Sequence, residues 1–258
     1  MSDLADALSL PARSAKPRAQ GRTNVLDKGT PPGQLADELQ VCGPYVDLAK
    51  LGWGTGLVTP CVAEKVAIYE RNDVQVCLGG TLFELCYLRG ELERYEAFAD
   101  ELGLQVVEIS SGTLEIDASV KRALITRFAA RYRVVSEVGS KDATAIVSPA
   151  RWVEEIKGEL EAGAESVILE GRESGSAGMY RGSGEIRMGL IQEILDAGVA
   201  PDRLIFEAPQ KHQQVWLIET IGPEVNLANI PISEVLSLET LRLGLRADTL
   251  THFHGVGH

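Results

Sequence analysis

Ser166–Gly171 reads SVILEG, a β-branched and aliphatic run that closes on a carboxylate and then a glycine. An apolar run without polar alternation, bounded by a turn residue, marks a strand buried on both faces, as in parallel sheets. The same beat recurs along the chain. Before it come TNVLDKG (Thr23–Gly29), YVDLAKLGWG (Tyr45–Gly54), VQVCLGG (Val74–Gly80), VVEISSG (Val106–Gly112) and YRVVSEVG (Tyr132–Gly139). RLIFEAP (Arg203–Pro209) and VNLANIP (Val225–Pro231) follow, making eight. Their starts are spaced by about 29 residues on average, room for one strand and one helix.

The segments between read as amphipathic helices. Leu92, Tyr95, Phe98, Ala99 and Leu102 share one face by the 3–4 spacing, and Val120, Leu124 and Phe128 form a second stripe. Ser148-Pro149 has the chemistry of a cap and first helical residue ahead of Trp152, Ile156 and Leu160. Ile232–Leu243 supplies a closing helix. Alternating strands and helices demand a parallel sheet with right-handed crossovers. Eight such units close most naturally into a parallel eight-stranded (β/α)8 TIM barrel. A doubly wound sheet is the alternative, but no G-x-G-x-x-G follows the first strand. The barrel is expected over residues 23–250, after a flexible, basic arm (1–22) and before a frayed tail (251–258) with His252, His254 and His258.

The 258 residues are 45% apolar and 24% charged, an ordinary globular balance. A net charge of −12 argues against nucleic acid as a partner. No run approaches a membrane span, so no membrane partner is expected. Cys42, Cys61, Cys77 and Cys86 include no C-x-x-C pair and read as reduced thiols. With no signal-peptide pattern, the expected compartment is the cytoplasm.

In a barrel the reactive groups stand at the carboxyl ends of the strands. Those ends carry Glu108, Glu137, Glu170 and Glu207 on four successive strands. Four carboxylates that converge require cations among them, and Mg²⁺, which takes hard oxygen ligands, is the candidate. The alternative for each is pairing with a neighbouring Lys or Arg as scaffolding. Residues two apart share a face, so Glu108 points with Ser110 and Glu170 with Arg172, whereas Asp27 and Lys28 cannot both point inward. Lys28, Lys50, Lys141 and Arg172 form a cationic set in an acidic chain, suited to a small anionic substrate. Backbone amides near Pro209–Lys211 and Asn229–Ser233 occupy positions where barrels hold phosphate. Gly175, Gly178, Gly182 and Gly184 make the loop bearing Tyr180 and Arg181 a candidate lid.

DKGTPP (Asp27–Pro32), KLGWGT, GGTLFE, VEISSG, EVG, ILEGRESG (Ile168–Gly175), FEAPQK (Phe206–Lys211), VNLANI and SLETLRLGLRADT together resemble the phosphosulfolactate synthase family. The likeness runs from about Val25 to Thr249, and GRESG, FEAPQK and NLANI in that order are its most specific part. It implies a trimeric, Mg²⁺-dependent barrel lyase that adds sulfite to C3 of phosphoenolpyruvate, giving (2R)-phospho-3-sulfolactate, the first step of coenzyme M biosynthesis. By the family's pattern Lys141, Arg172 and Glu137 are the catalytic residues, Lys141 being the general acid. Glu108, Glu137 and Glu170 are the metal ligands, and Lys28, Lys50, Ser110, Lys211 and Asn229 bind substrate. The resemblance departs at Ser140-Lys141, where the family pattern has two adjacent lysines. Two rivals remain at this level: a non-catalytic relative like the plant heat-stress-associated proteins, and another phosphate-handling barrel lyase or aldolase that forms a Schiff base.

Overall fold

The computed structural model describes residues 4, 7–140 and 147–255. Each of the eight apolar runs forms a short strand. These are β1 Thr23–Asp27, β2 Leu48–Leu51, β3 Gln75–Leu78 and β4 Val106–Ile109. The second half supplies β5 Arg133–Val138, β6 Ser166–Leu169, β7 Leu204–Glu207 and β8 Leu227–Ile230. Hydrogen bonding orders them β3-β2-β1-β8-β7-β6-β5-β4, and every ladder is parallel. β3 and β4 stand side by side at the ends of that order, which brings the sheet round into a nearly closed barrel. At this seam the Gly80 amide donates to Glu108 Oε1 at 2.7 Å, joining the end of β3 to β4.

The two-residue period of the strands then sets two levels inside the barrel. Leu48, Cys77, Val106, Val135, Ile168, Ile205 and Ala228 make one apolar layer, one side chain from each of seven strands. Two residues further along, Lys50, Glu108, Glu137, Glu170 and Glu207 reach the carboxyl-end mouth. The alternate residues, among them Val107, Val134, Val167, Phe206 and Leu227, point outward into the core beneath the helices.

The helix over Leu92–Glu101 buries Tyr95 and Ala99, and the helix over Pro149–Glu161 starts as its sequence indicates, with Ser148 accepting from the Arg151 amide. The helix over Ala118–Ala129 departs from expectation. Its buried stripe is Lys121, Ile125 and Phe128, and Val120 is exposed. The reason is polar: Lys121 Nζ reaches Glu159 at 2.7 Å and the carbonyl of Glu137 at 2.6 Å, so a lysine takes the inward place. The closing segment is a 3₁₀ turn, Ile232–Glu234, followed by a helix over Val235–Arg242.

The described parts of both terminal segments are more ordered than their composition suggests, and His258 lies outside the described residues. The C-terminal segment forms a helix over Ala247–His254, with Phe253 against the core, in place of fraying from residue 251. In the basic arm, Arg13 pairs with Glu224 and Glu239, and Arg18 Nη1 lies 3.1 Å from Asp47. Lys16 Nζ donates to the carbonyls of Asn72 and Asp73. The arm is strapped across the amino-terminal end of the barrel because its cations meet acids gathered there. Among the described residues no helix is long and apolar enough to cross a membrane. All four cysteines are free.

Candidate active site

Lys50 rises from the middle of β2, and its ammonium lies 3.0 Å from Glu108 Oε2, 3.0 Å from Glu207 Oε1 and 3.8 Å from Glu137 Oε2. All four side chains are buried. Burial alone would lower the lysine, but the charges of Glu108, Glu207 and Glu137 outweigh it and hold Lys50 well above the ordinary lysine value. Burial pushes the Glu108 carboxyl up, against the opposing pull of Lys50. The ammonium and the acids therefore form one coupled charge cluster.

Glu207 and Glu170 also shape the loop that follows β6. Glu207 Oε2 accepts from the amides of Gly171 and Arg172, each at 2.9 Å, and Glu170 Oε1 accepts from the Arg172 amide at 2.6 Å. These bonds clamp Arg172 at φ 59°, a left-handed conformation that a non-glycine side chain rarely adopts. Trp53 and Asn229 are likewise at positive φ, 55° and 60°. All three line one cavity of about 230 Å³ with Lys50 and the four glutamates. Backbone strain of this kind gathers where a site must be held in place.

Arg172, Lys50, Asn229, Glu108, Glu137 and Glu170 thus converge as the strand-end pattern requires. The Asn229 Oδ1 is buried without a hydrogen-bond partner among the described residues. Lys28 sits at the rim, its ammonium 5.2 Å above the Trp53 ring. Asp27 faces outward to Lys65 Nζ at 2.8 Å and Tyr69 at 2.9 Å, so of the two neighbours it is the packing residue. Lys141 lies outside the described residues.

Besides Lys28, two of the expected side chains, Ser110 and Lys211, do not line the cavity. The Ser110 hydroxyl donates to Glu84 at 2.5 Å, and Glu84 also takes the amides of Thr113 and Leu114, so Ser110 buttresses the loop after β4. Lys211 is drawn off to Asp248, 2.8 Å away. The glycine-rich loop folds down onto the barrel instead of standing over it. Tyr180 is buried, donates to the carbonyl of Glu207 at 2.6 Å and bridges to Ile186.

Sequence reasoning passes over Trp53 and Gly80. The only hint at Gly80 is the paired glycine of GGT; a Cβ there would collide with Ser110 Oγ and come within 2.9 Å of Glu108 Oε1.

The oxygen donors around the cavity suit a hard cation such as Mg²⁺. Lys50 already occupies the space between Glu108, Glu137 and Glu207, and no group of three or more Asp, Glu, His or Cys among the described residues forms a metal cage. Mg²⁺ here would take one or two carboxylates and fill its shell with water and substrate oxygens, which is its usual habit.

A family model described as (2R)-phospho-3-sulfolactate synthase (ComA) matches residues 11–248. The phosphosulfolactate synthase of Bacillus subtilis (strain 168) is 42% identical over 245 residues, covering 94% of this chain and 97% of that protein. The phosphosulfolactate synthase of Methanothermobacter thermautotrophicus is 44% identical over 246 residues, 93% of this chain and 95% of that protein. Among solved structures, a 3-hexulose-6-phosphate synthase aligns over 85% of this chain and 99% of its own, with a TM-score of 0.55 at 15% identity. A phosphonopyruvate hydrolase complex with oxalate and Mg²⁺ aligns over 84% of this chain and 77% of its own, with a TM-score of 0.51 at 10% identity. At such identities these structures speak to the barrel fold alone.

Proposed function

The chain belongs to the (2R)-phospho-3-sulfolactate synthase family and is a carbon–sulfur bond-forming lyase; from that premise we propose that it joins sulfite to C3 of phosphoenolpyruvate over the Lys50 cluster, with Mg²⁺ as cofactor. The observation that carries this reading is the Lys50 ammonium, within 3.0 Å of two buried strand-end glutamates, in a mouth lined by Arg172 and Asn229.

The reaction forms one S–C3 bond, moves the C2–C3 π pair towards the carboxylate, and ends when C2 takes a proton. Arg172 and Lys28 meet the anionic groups from the rim, and Asn229 offers its free oxygen to a donor on the substrate or its water. Lys50 supplies a fixed positive charge beneath the developing negative one, preorganised by Glu108 and Glu207. Lys141, directly after the loop that closes β5, delivers the proton to C2. Mg²⁺ would be held by Glu137 and Glu170, with Glu108 behind them on Lys50, and would neutralise charge gathering on the carboxylate.

On the same reading the protein acts in the cytoplasm as a homotrimer. Trp53, Leu57, Val58, Leu85 and Leu88 are exposed apolar side chains that self-association would cover. Incubation with phosphoenolpyruvate, sulfite and Mg²⁺, followed by mass spectrometry, tests the chemistry: the expected product is a sulfonated phosphoester. No product would favour a protective, non-catalytic relative, and a lysine adduct trapped by borohydride would favour an aldolase.

A further inference from the structure

A second cavity lies at the opposite end of the barrel. It encloses about 670 Å³, against about 230 Å³ at the carboxyl-end mouth. Its floor is the underside of the inner apolar layer, Leu48, Val106, Val135 and Ile205. Lys16 and Arg18 of the strapped arm form part of its wall. The apolar layer separates it from the Lys50 cluster.

Two unmet polar groups face this space. Asn24, on β1, is 4% exposed, lines the cavity and has an Oδ1 without a partner among the described residues. Arg22, two residues earlier and so on the same face of the chain, also lines it, and its Nε has no partner among them. Arg22 and Arg133 converge on one carboxylate, Glu165, while the acids that line the cavity itself, Asp47, Glu70 and Asp73, stand in its wall with Lys16 and Arg18. Arg18 is already matched by Asp47, and Lys16 by the carbonyls of Asn72 and Asp73. A buried acceptor with no donor carries a desolvation cost that a bound ligand relieves.

We propose that this cavity is a second binding site, for a small amphipathic monoanion bearing an N–H or O–H donor. The anionic group meets Arg22 and Arg133, the apolar body lies on Leu48, Val106, Val135 and Ile205, and the donor reaches Asn24 Oδ1. Nothing in this arrangement touches the sulfite chemistry.

The probe is 8-anilinonaphthalene-1-sulfonate, which carries one sulfonate, an aromatic body and one N–H. Its fluorescence is titrated against the full-length chain, with and without saturating phosphoenolpyruvate. The expected result is a single site that phosphoenolpyruvate does not displace, and that Arg133→Ala and Asn24→Leu each weaken about tenfold or more. Gln105→Trp, at the exposed lip, should block the same site without disturbing the interior, and it serves if either internal variant fails to fold. Turnover should persist in Gln105→Trp. Absence of binding at millimolar probe, displacement by phosphoenolpyruvate, or an affinity unchanged in Gln105→Trp would each overturn the proposal.

Discussion

Lys50 Nζ and Glu207 Oε1 meet at 3.0 Å across the barrel mouth, although 157 positions separate them in the chain and β1 and β8 lie between their strands. The other oxygen of Glu207 holds the amides of Gly171 and Arg172. One carboxylate therefore fixes both the central cation and the loop that presents Arg172. The charge cluster and the strained loop are a single mechanical unit.

Lys50→Met should show what that unit is worth. It leaves Glu108, Glu137 and Glu207 buried with their shared cation removed. Breaking a buried ion pair by deleting one partner costs about 3–5 kcal/mol. Urea denaturation should report a loss in that range, together with turnover reduced beyond detection. A stable, active variant would show that the acids are already neutral.

The same residue sets an alkaline limb. Lys50 has its folded value raised above the ordinary 10.5, so the fold keeps a proton that the unfolded chain releases. Its contribution is complete below the unfolded value and is lost as pH climbs towards the folded one. The stability gap between the wild type and Lys50→Met should therefore narrow above pH 10.5 by about 1.4 kcal/mol per pH unit. A gap that stays constant as pH rises past that value would place the Lys50 proton elsewhere.

Glu207→Gln tests the loop. The amide keeps the shape but turns an N–H₂ towards donors or removes half of the acceptor capacity, and the charge partner of Lys50 is lost. With Arg172 no longer pinned at φ 59°, kcat should fall about 100-fold, since misplacement by an ångström costs that much. The split matters: a rise in KM alone, with kcat preserved, would mean that Arg172 binds substrate without needing this clamp.

Much of this was legible in the sequence, and the boundary of legibility is physical. The eight strands follow from local apolar runs, and the inward order of Glu108, Glu137, Glu170 and Glu207 follows from two-residue parity. What parity lacks is distance across the ring. That Lys50 meets Glu207 depends on barrel closure, and so a residue expected to bind substrate proves to be fastened to three acids. Positive φ at Trp53 and Arg172 has no sequence signature, since neither residue type favours that conformation. Lys121 displaced Val120 from the expected stripe because its partner, Glu159, belongs to the next helix. The cations of the arm were plain to see, but the acids that strap them down come from segments distant in sequence.

Gly80→Ala isolates the seam between β3 and β4. The added methyl would collide with Ser110 and crowd Glu108, so it should cost about 1–3 kcal/mol and lower kcat. Gly189 is the matched control. It lies in the helix over Met188–Asp196 with nothing within 4 Å of an added methyl group, so Gly189→Ala should leave activity unchanged and stabilise by about 0.4–1 kcal/mol. Equal effects at the two positions would mean that contact at the seam is irrelevant.

Metal dependence calls for a readout that separates binding from chemistry. Glu137 and Glu170 both line the mouth, and Glu170 already spends one oxygen on the Arg172 amide. Thorough chelation should abolish turnover, and Mg²⁺ should restore it. If Glu137 is one of the few carboxylate ligands, as proposed, Glu137→Gln should raise the Mg²⁺ concentration for half-activation by about 10-fold or more. Isothermal titration with Mg²⁺ in the presence of phosphoenolpyruvate should show the same shift without any turnover. If Glu137→Gln lowers kcat while leaving the Mg²⁺ titration untouched, Glu137 acts on Lys50 and the substrate, and the ion sits elsewhere.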